Sequence, residues 1–261
     1  MNIDLQGKTA VVTGSTAGIG FAISQGLVEC GALVVINGRS ERRVKQAMAQ
    51  IRSKYPSAKV QGVAADMGTA DGARVLVQQV PEADILVNNL GIVELQTFFN
   101  ITDEDWERFF RVNVLSGIRL ARHYTPGMMQ RGWGRVIFIS SESGLQVPAE
   151  MVHYGTTKTA QLAVARGLAE TVAGSGVTVN AVLPGTTRSE GVEKFVEQLG
   201  RHSGKSFAQL ENEMMGPSSL LRRFATVDEV ANMVVYLASE YASATTGASV
   251  RVDGGTVRAI A

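Results

Sequence analysis

The chain has 261 residues, 45% of them apolar and 19% charged, with a formal net charge of +1. That is enough to bury one large α/β core. The near-neutral balance, with no basic cluster longer than the helix face at 39–45, argues against nucleic acid or an acidic membrane surface as a partner.

The N-terminal Met1-Asn2-Ile3-Asp4-Leu5-Gln6 lacks the basic and apolar regions of a signal peptide, and the apolar runs are far too short to span a bilayer. A cytoplasmic protein is expected. The single cysteine, Cys30, excludes an intramolecular disulfide and any multi-cysteine metal site.

Strand-length apolar runs recur at 9–13, 32–37, 60–64, 85–88, 136–140, 177–182 and 249–252. They are nearly continuous rather than alternating, as a parallel sheet covered on both faces requires. Helical periodicity occupies 18–29, 40–54, 102–131, 154–173 and 226–239, with start signals at Ser40 before Glu41 and at Thr226 before Asp228-Glu229. This alternation predicts a single Rossmann-like, doubly wound domain over 1–261, with seven parallel strands and helices on both faces. The segment 186–217, rich in Gly, Ser, Glu and Met, breaks the rhythm. It follows a strand end, where ligands bind in open α/β sheets, and is expected to form a mobile substrate flap, the alternative being a decorative helical insertion.

Directly after the first strand stands Thr13-Gly14-Ser15-Thr16-Ala17-Gly18-Ile19-Gly20, opening a helix. Glycines at this spacing turn the backbone tightly and aim helix N-terminal amides at a pyrophosphate. At the end of the second strand, where an acid would accept from a ribose hydroxyl, the residues are Asn37-Gly38-Arg39-Ser40. Arg39 and the Ser40 hydroxyl suit a 2'-phosphate, so NADP(H) is favoured and NAD(H) remains open. Ala17 leaves out a second basic contact. Tyr154 and Lys158 stand one helical turn apart on one face, so the ammonium is expected to lower the phenol's pKa toward the working pH of a general acid/base.

Further residues fall at strand ends or in helices at matching places: Ala65-Asp66-Met67, Asn88-Asn89-Leu90-Gly91, Asn113, Ser140-Ser141, Pro184-Gly185 and Val252-Asp253-Gly254-Gly255. Alone, Asn113 reads as a polar helix-face residue, Ser141 as a turn residue and Asp66 as a cap. Jointly they are specific, and along essentially its whole length the chain resembles the short-chain dehydrogenase/reductase (SDR) family.

The resemblance implies hydride transfer between a nicotinamide and a carbonyl or alcohol carbon. Tyr154 would be the acid/base, and Lys158 would tune it and hold the nicotinamide ribose. Ser141, thirteen residues before Tyr154, would bind the substrate oxygen, in preference to Ser140 or Ser143. Asn113 would position a relay water. The cofactor would be held by Gly14, Ser15, Thr16, Gly18, Ile19, Gly20, Arg39, Ser40, Asp66, Met67, Asn89, Gly91, Tyr154, Lys158, Pro184, Gly185, Thr187 and Ser189. Leu90 departs from the family's usual alanine and is expected to reshape the cofactor groove.

His153 is read as a pocket or packing residue, since helix neighbours do not share a face, and Glu142 and Glu150 as solvated loop acids, with substrate contact as the alternative for either. The histidines at 123, 153 and 202 have no ligand spacing, so no metal is predicted. Family relatives imply a homotetramer paired through helices 102–131 and 154–173 and the last strand. Within carbonyl chemistry, 3-oxoacyl-thioester reduction, sugar or polyol oxidation and cyclic-ketone reduction stay open. A non-enzymatic dinucleotide-binding regulator would be expected to have lost Tyr154, Lys158 or Ser141, and a longer-chain epimerase or dehydratase would need a larger C-terminal region.

Overall fold

A computed structural model describes residues 2–216 and 218–260; Met1 and Ala261, which end the expected domain, and Pro217, which ends the expected flap, lie outside them. The strands are β1 (Thr9–Val12), β2 (Leu33–Gly38), β3 (Val60–Ala64), β4 (Ile85–Asn88), β5 (Gly134–Ile139), β6 (Val177–Pro184), β7 (Thr187–Arg188), β8 (Ala225–Thr226) and β9 (Ser249–Val252). The helices are α1 (Gly18–Glu29), α2 (Glu41–Lys54), α3 (Ala70–Gln79), α4 (Asp103–Phe109), α5 (Ser116–Gln130), α6 (Val152–Thr171), α7 (Glu190–Ser203), α8 (Phe207–Met215) and α9 (Val227–Ala238). Seven strands form a sheet in the order β3-β2-β1-β4-β5-β6-β9, every pairing parallel.

Alternate side chains of each inner strand enter different cores, as the pleat dictates. Val12, Val87 and Ile139 face the layer that contains Ile23, Leu27 and Val234. Val11, Leu86 and Phe138 face the layer that contains Leu76, Leu120 and Val179. Both faces are covered, so the strands read as continuous apolar runs. The expected start signals cap their helices: Ser40 accepts from the Arg43 amide, and Thr226 forms a capping box with Glu229. No helix among the described residues is long and apolar enough to cross a membrane.

Four features depart from the sequence expectations. α3 arises at 70–79, capped by Thr69, where only ten residues carry the pattern. The helix expected over 102–131 is interrupted by a π-helical stretch, Phe110–Leu115, which pushes Asn113 inward; such bulges commonly sit at functional sites. The 186–217 excursion carries α7 and α8, which close a small core of Val196, Leu210, Met215 and Phe224. Its root is tied down by a two-stranded sheet in which β7 pairs with β8.

The sheet order reverses between β1 and β4, and the crevice of such a fold opens there, above the strand ends. The Thr13 hydroxyl and the Asn89 side chain join the two ends. Thr13 Oγ1 accepts from the backbone amides of Asn89 and Leu90, each at 3.0 Å, and Asn89 Nδ2 returns to the carbonyls of Thr13 (2.9 Å) and Gly14 (3.1 Å). The Asn89 amide is shared with the Val87 carbonyl at 3.1 Å.

Valine at position 13 would keep the shape of this buried side chain and remove the acceptor, leaving the Leu90 amide without it. Thr13→Val is therefore expected to lower unfolding stability by about 1–3 kcal/mol, the usual cost of an unsatisfied buried donor. Urea denaturation with an unchanged midpoint would refute the role given to this hydroxyl.

Candidate active site

The crevice begins at the N-terminus of α1. The residue before that helix is Ala17, which supplies no side-chain cap, and the first turn holds no acid. The first-turn amides are thus left for an external anion. Gly14 and Gly18 take the left-handed backbone (φ 61° and 58°) that the turn demands. A Cβ on Gly20 would come within 2.5 Å of Asn89 Nδ2 and 2.7 Å of the Gly14 carbonyl. This glycine therefore serves the close approach of helix and strand. Ser15 is likewise structural: its hydroxyl donates to the Val12 carbonyl at 2.7 Å and accepts from the Asn37 amide at 2.9 Å. Neither Ser15 nor Gly20 lines the crevice.

One arm of the crevice is walled by Gly14, Thr16, Arg39, Ser40, Asp66 and Met67, and it meets the other arm at Gly91. Met67 contributes backbone only, because its side chain is in the core. Asp66 Oδ1 accepts from the Gly68 amide at 2.9 Å, which fixes the carboxylate at the rim. Arg39 and Ser40 are exposed there, and Glu41, the nearest acid in the chain, pairs with Lys45 at 2.6 Å. Arg43 joins the same wall, one helical turn past Ser40 on α2; it was missed as a site residue because in the sequence it is one of several helix-face cations. Leu90 lines this arm too but packs against the core beneath, and the wall continues past it to Gly91.

The second arm gathers Ile19, Asn89, Ser141, Tyr154, Lys158, Pro184, Gly185, Thr187 and Ser189. Gly185 lets β6 and β9 converge, since a Cβ would stand 2.8 Å from the Asp253 backbone. Thr187 Oγ1 donates to the Gly185 carbonyl at 2.8 Å. Ser189 Oγ accepts from the Val192 amide at 3.4 Å.

Tyr154 and Lys158 stand one turn apart on α6, with Lys158 Nζ 5.5 Å from the phenol ring centroid and donating to the Ile139 carbonyl at 3.0 Å. Lys158 is only 4% exposed, and burial draws its pKa down to about 8. The expected depression of the phenol is not found. Burial pushes Tyr154 up to about 12, the Glu142 charge adds to this, and the Ser141 hydroxyl opposes it. In this dry setting both charged forms lose solvation, and that outweighs the help each could give the other.

Ser141 and Ser140 have different tasks. Ser140 Oγ donates to the Lys158 carbonyl at 2.8 Å and thereby ties α6 to β5. Ser141 Oγ faces the phenol, accepts from the Ser143 amide at 3.1 Å and donates to Glu142 Oε2 at 2.6 Å. For Glu142 the structure departs from the solvated loop acid and favours the alternative of a place at the cleft; nothing in its neighbours along the chain shows the packing over it. Glu142 is partly buried, which raises its pKa.

Asn113 joins the group from behind. Its Oδ1 accepts from the Ile92 amide (2.8 Å), and its Nδ2 donates to the Ile92 carbonyl and to Thr157 Oγ1, both at 3.0 Å. Its own carbonyl accepts from Gln161 Nε2 at 2.7 Å, a partner with no motif to announce it. His153 points away: its buried ring lies between Trp106 and Phe109, with ring centroids at 6.2 and 4.0 Å, and burial lowers its pKa. No group of three or more potential metal ligands occurs among the described residues, and the side chain of His202 lies outside them.

The residues fit a dinucleotide. The uncapped α1 terminus faces the anionic middle, and a Cβ on Gly91 would stand 3.3 Å from Lys158 Nζ, so a side chain there would press on the lysine at that junction. When bound, NAD(P) supplies or accepts the hydride.

Comparisons with known proteins agree. Residues 14–257 match the family model described as enoyl-(acyl carrier protein) reductase. The chain is 46% identical to the uncharacterized oxidoreductase YvaG of Bacillus subtilis, with all of both chains covered. It is 35% identical to a D-beta-hydroxybutyrate dehydrogenase of Rhizobium meliloti, over 95% of this chain and 98% of that one. Its fold superposes on the L-sorbose reductase of Gluconobacter frateurii, solved with NADPH and L-sorbose, with a TM-score of 0.96, 32% identity and full coverage of both chains. The chain therefore belongs to the short-chain dehydrogenase/reductase family and is an NAD(P)-dependent oxidoreductase acting on CH–OH and C=O groups.

Proposed function

We propose that the chain is an NADPH-preferring reductase of neutral, hydroxylated ketones of the sugar or polyol type, with Tyr154, Lys158, Ser141 and Asn113 as its catalytic set. The observation that carries this reading is the convergence of Ser141, Tyr154 and Lys158 on one cleft whose remaining wall is apolar or neutral: Ile19, Ile92, Val93, Pro184 and Val192 among others. Apart from Lys158, no cation among the described residues lines that cleft. The carboxylate of a 3-oxo acid would lack a charge partner there, whereas a neutral ketone needs none. The full-length likeness to the L-sorbose reductase points the same way.

In this reading the half-buried phenol, kept protonated, hands its proton to the carbonyl oxygen while Ser141 holds that oxygen. The Lys158 ammonium stabilises the phenolate left behind and grips the nicotinamide ribose. Asn113 braces the lysine side of the cleft through Ile92 and Thr157. Fixed dipoles and a dry cavity do this work more effectively than water could. Arg39, Ser40 and Arg43 hold the 2'-phosphate, Asp66 accepts from the adenine amine, and the 186–217 excursion closes over the substrate. The protein assembles as a homotetramer in the cytoplasm. Its support is the open edge of β9 at the end of the sheet and the exposed Phe110 and Leu115 on the α4–α5 face.

Three results are expected. Fluorescence titration should show Arg39→Ala weakening NADPH binding about ten- to a hundredfold, the worth of one or two charge-assisted hydrogen bonds, while NADH binding stays unchanged. Equal losses for both cofactors would contradict the phosphate assignment. In a panel read by NADPH oxidation, L-sorbose should exceed acetoacetate and acetoacetyl-coenzyme A in kcat/KM; preference for the thioester would transfer the protein to acyl chemistry. The reduction rate should fall as pH rises through about 8, where Lys158 loses its proton, and a profile flat through that range would remove Lys158 from the mechanism.

A further inference from the structure

The Ser141 hydroxyl has one proton and two lone pairs, and the structure accounts for how they are used. One lone pair accepts from the Ser143 amide at 3.1 Å, and the proton goes to Glu142 Oε2 at 2.6 Å. While Glu142 is ionised, Ser141 can therefore only accept from the phenol side. When Glu142 carries a proton the direction reverses. The carboxyl donates to the second lone pair, and the Ser141 proton is released into the cleft, where it first holds the carbonyl oxygen and, once the product O–H has formed, is free to turn to Tyr154.

Behind Lys158, both hydrogens of Asn113 Nδ2 go to Ile92 and Thr157, and the Asn113 carbonyl accepts from Gln161 with one of its two lone pairs. The groups that face Glu142 are Ser141 in its own turn, Tyr154 and Lys158 on α6, and Asp253 at the end of β9. Asp253 is itself occupied, accepting from the amides of Gly255 and Val257, each at 3.0 Å.

We propose that Glu142 is the proton reservoir for Tyr154, reached through the Ser141 hydroxyl, a positioning role that rests on the catalytic set proposed above. As the carbonyl carbon gains its hydride, the phenol O–H breaks and the product O–H forms. The Ser141 proton then restores the phenol, the Glu142 proton restores Ser141, and the carboxylate left behind recovers a proton from water. Alcohol oxidation runs the same chain backwards. Burial, which holds the Glu142 carboxyl above the ordinary carboxylate range, keeps a proton there under conditions in which an exposed glutamate would have lost it.

Two readouts test this. The first needs neither cofactor nor substrate: carbon-13 titration of the Glu142 carboxyl, assigned by its loss in Glu142→Gln. The midpoint should lie above the ordinary glutamate value of about 4.3 and rise further in Ser141→Ala, which removes a hydrogen bond to the charged form. The second is the pH profile of L-sorbose reduction by NADPH. Wild type should show a falling limb at the carboxyl's midpoint, below the Lys158 limb. Glu142→Gln, which can hold Ser141 but has no proton to lend, should lose that limb and about tenfold in kcat at its acid end, with KM unchanged and partial rescue by Glu142→Asp.

A midpoint in the ordinary range, or Glu142→Gln with the wild-type kcat and profile, overturns the proposal. Tyr154→Phe separates this from the underlying reading. A phenylalanine enzyme that still turns over would refute the catalytic set itself, whereas an inactive one beside an unaffected Glu142→Gln refutes only the reservoir. Should L-sorbose not be reduced, the titration midpoint alone decides.

Discussion

The Thr13 hydroxyl holds together the place where the sheet changes direction. Strands on either side of the β1–β4 boundary are laid down in opposite senses, so their following loops diverge and a crevice opens between them. Divergence alone would leave the crevice walls loose. By accepting the amides of Asn89 and Leu90, Thr13 sets the wall after β4 against the glycine turn after β1. Asn89 then reaches back to the carbonyls of Thr13 and Gly14, so the turn and the wall move as one. The close packing around Gly14 and Gly20 follows from this contact, and so does the position of Gly91, where the two arms of the groove meet.

The reacting end depends on a different constraint, the scarcity of water. Lys158 is buried and Tyr154 half-buried, and loss of solvation shifts each toward its neutral form, the phenol to about 12 and the ammonium to about 8. A phenol held in its protonated form is a ready proton donor for carbonyl reduction. Glu142 modulates the pair from one side, raising both values by its charge. Asn113 braces it from the other through a network in which its side-chain amide is saturated. The π-helical stretch at Phe110–Leu115 makes that bracing geometrically possible, because an unbroken α-helix would carry position 113 along a different face.

Much of this was legible along the chain. Runs of Val and Ile without alternation mark strands covered on both sides, and four of the five expected helices lie within about two residues of their expected limits. What escaped shares a physical cause. α3 is short, and its stability comes from Leu76 packing on the sheet, a contact no local window contains. The excursion at 186–217 is polar enough to read as loop, yet α7 and α8 close a small core with Phe224, which comes from beyond it. In the same way β7 and β8 exist only because the start of that excursion meets the chain beyond its end.

By itself the sequence determined the fold class, the glycine turn, the Arg39-Ser40 strand end and the one-turn spacing of Tyr154 and Lys158, since each of these rests on short-range periodicity or local backbone geometry. Only the tertiary structure decided which side chains face the crevice and which merely support it. Ser15, Gly20 and the Met67 side chain turned out to be supports, while Arg43 and Glu142 joined the site. It also decided the protonation balance, raising the phenol that the lysine was expected to lower. Burial is a property of everything packed around a group, and desolvation, which acts through that surrounding, outweighed the single neighbour that spacing along a helix can reveal.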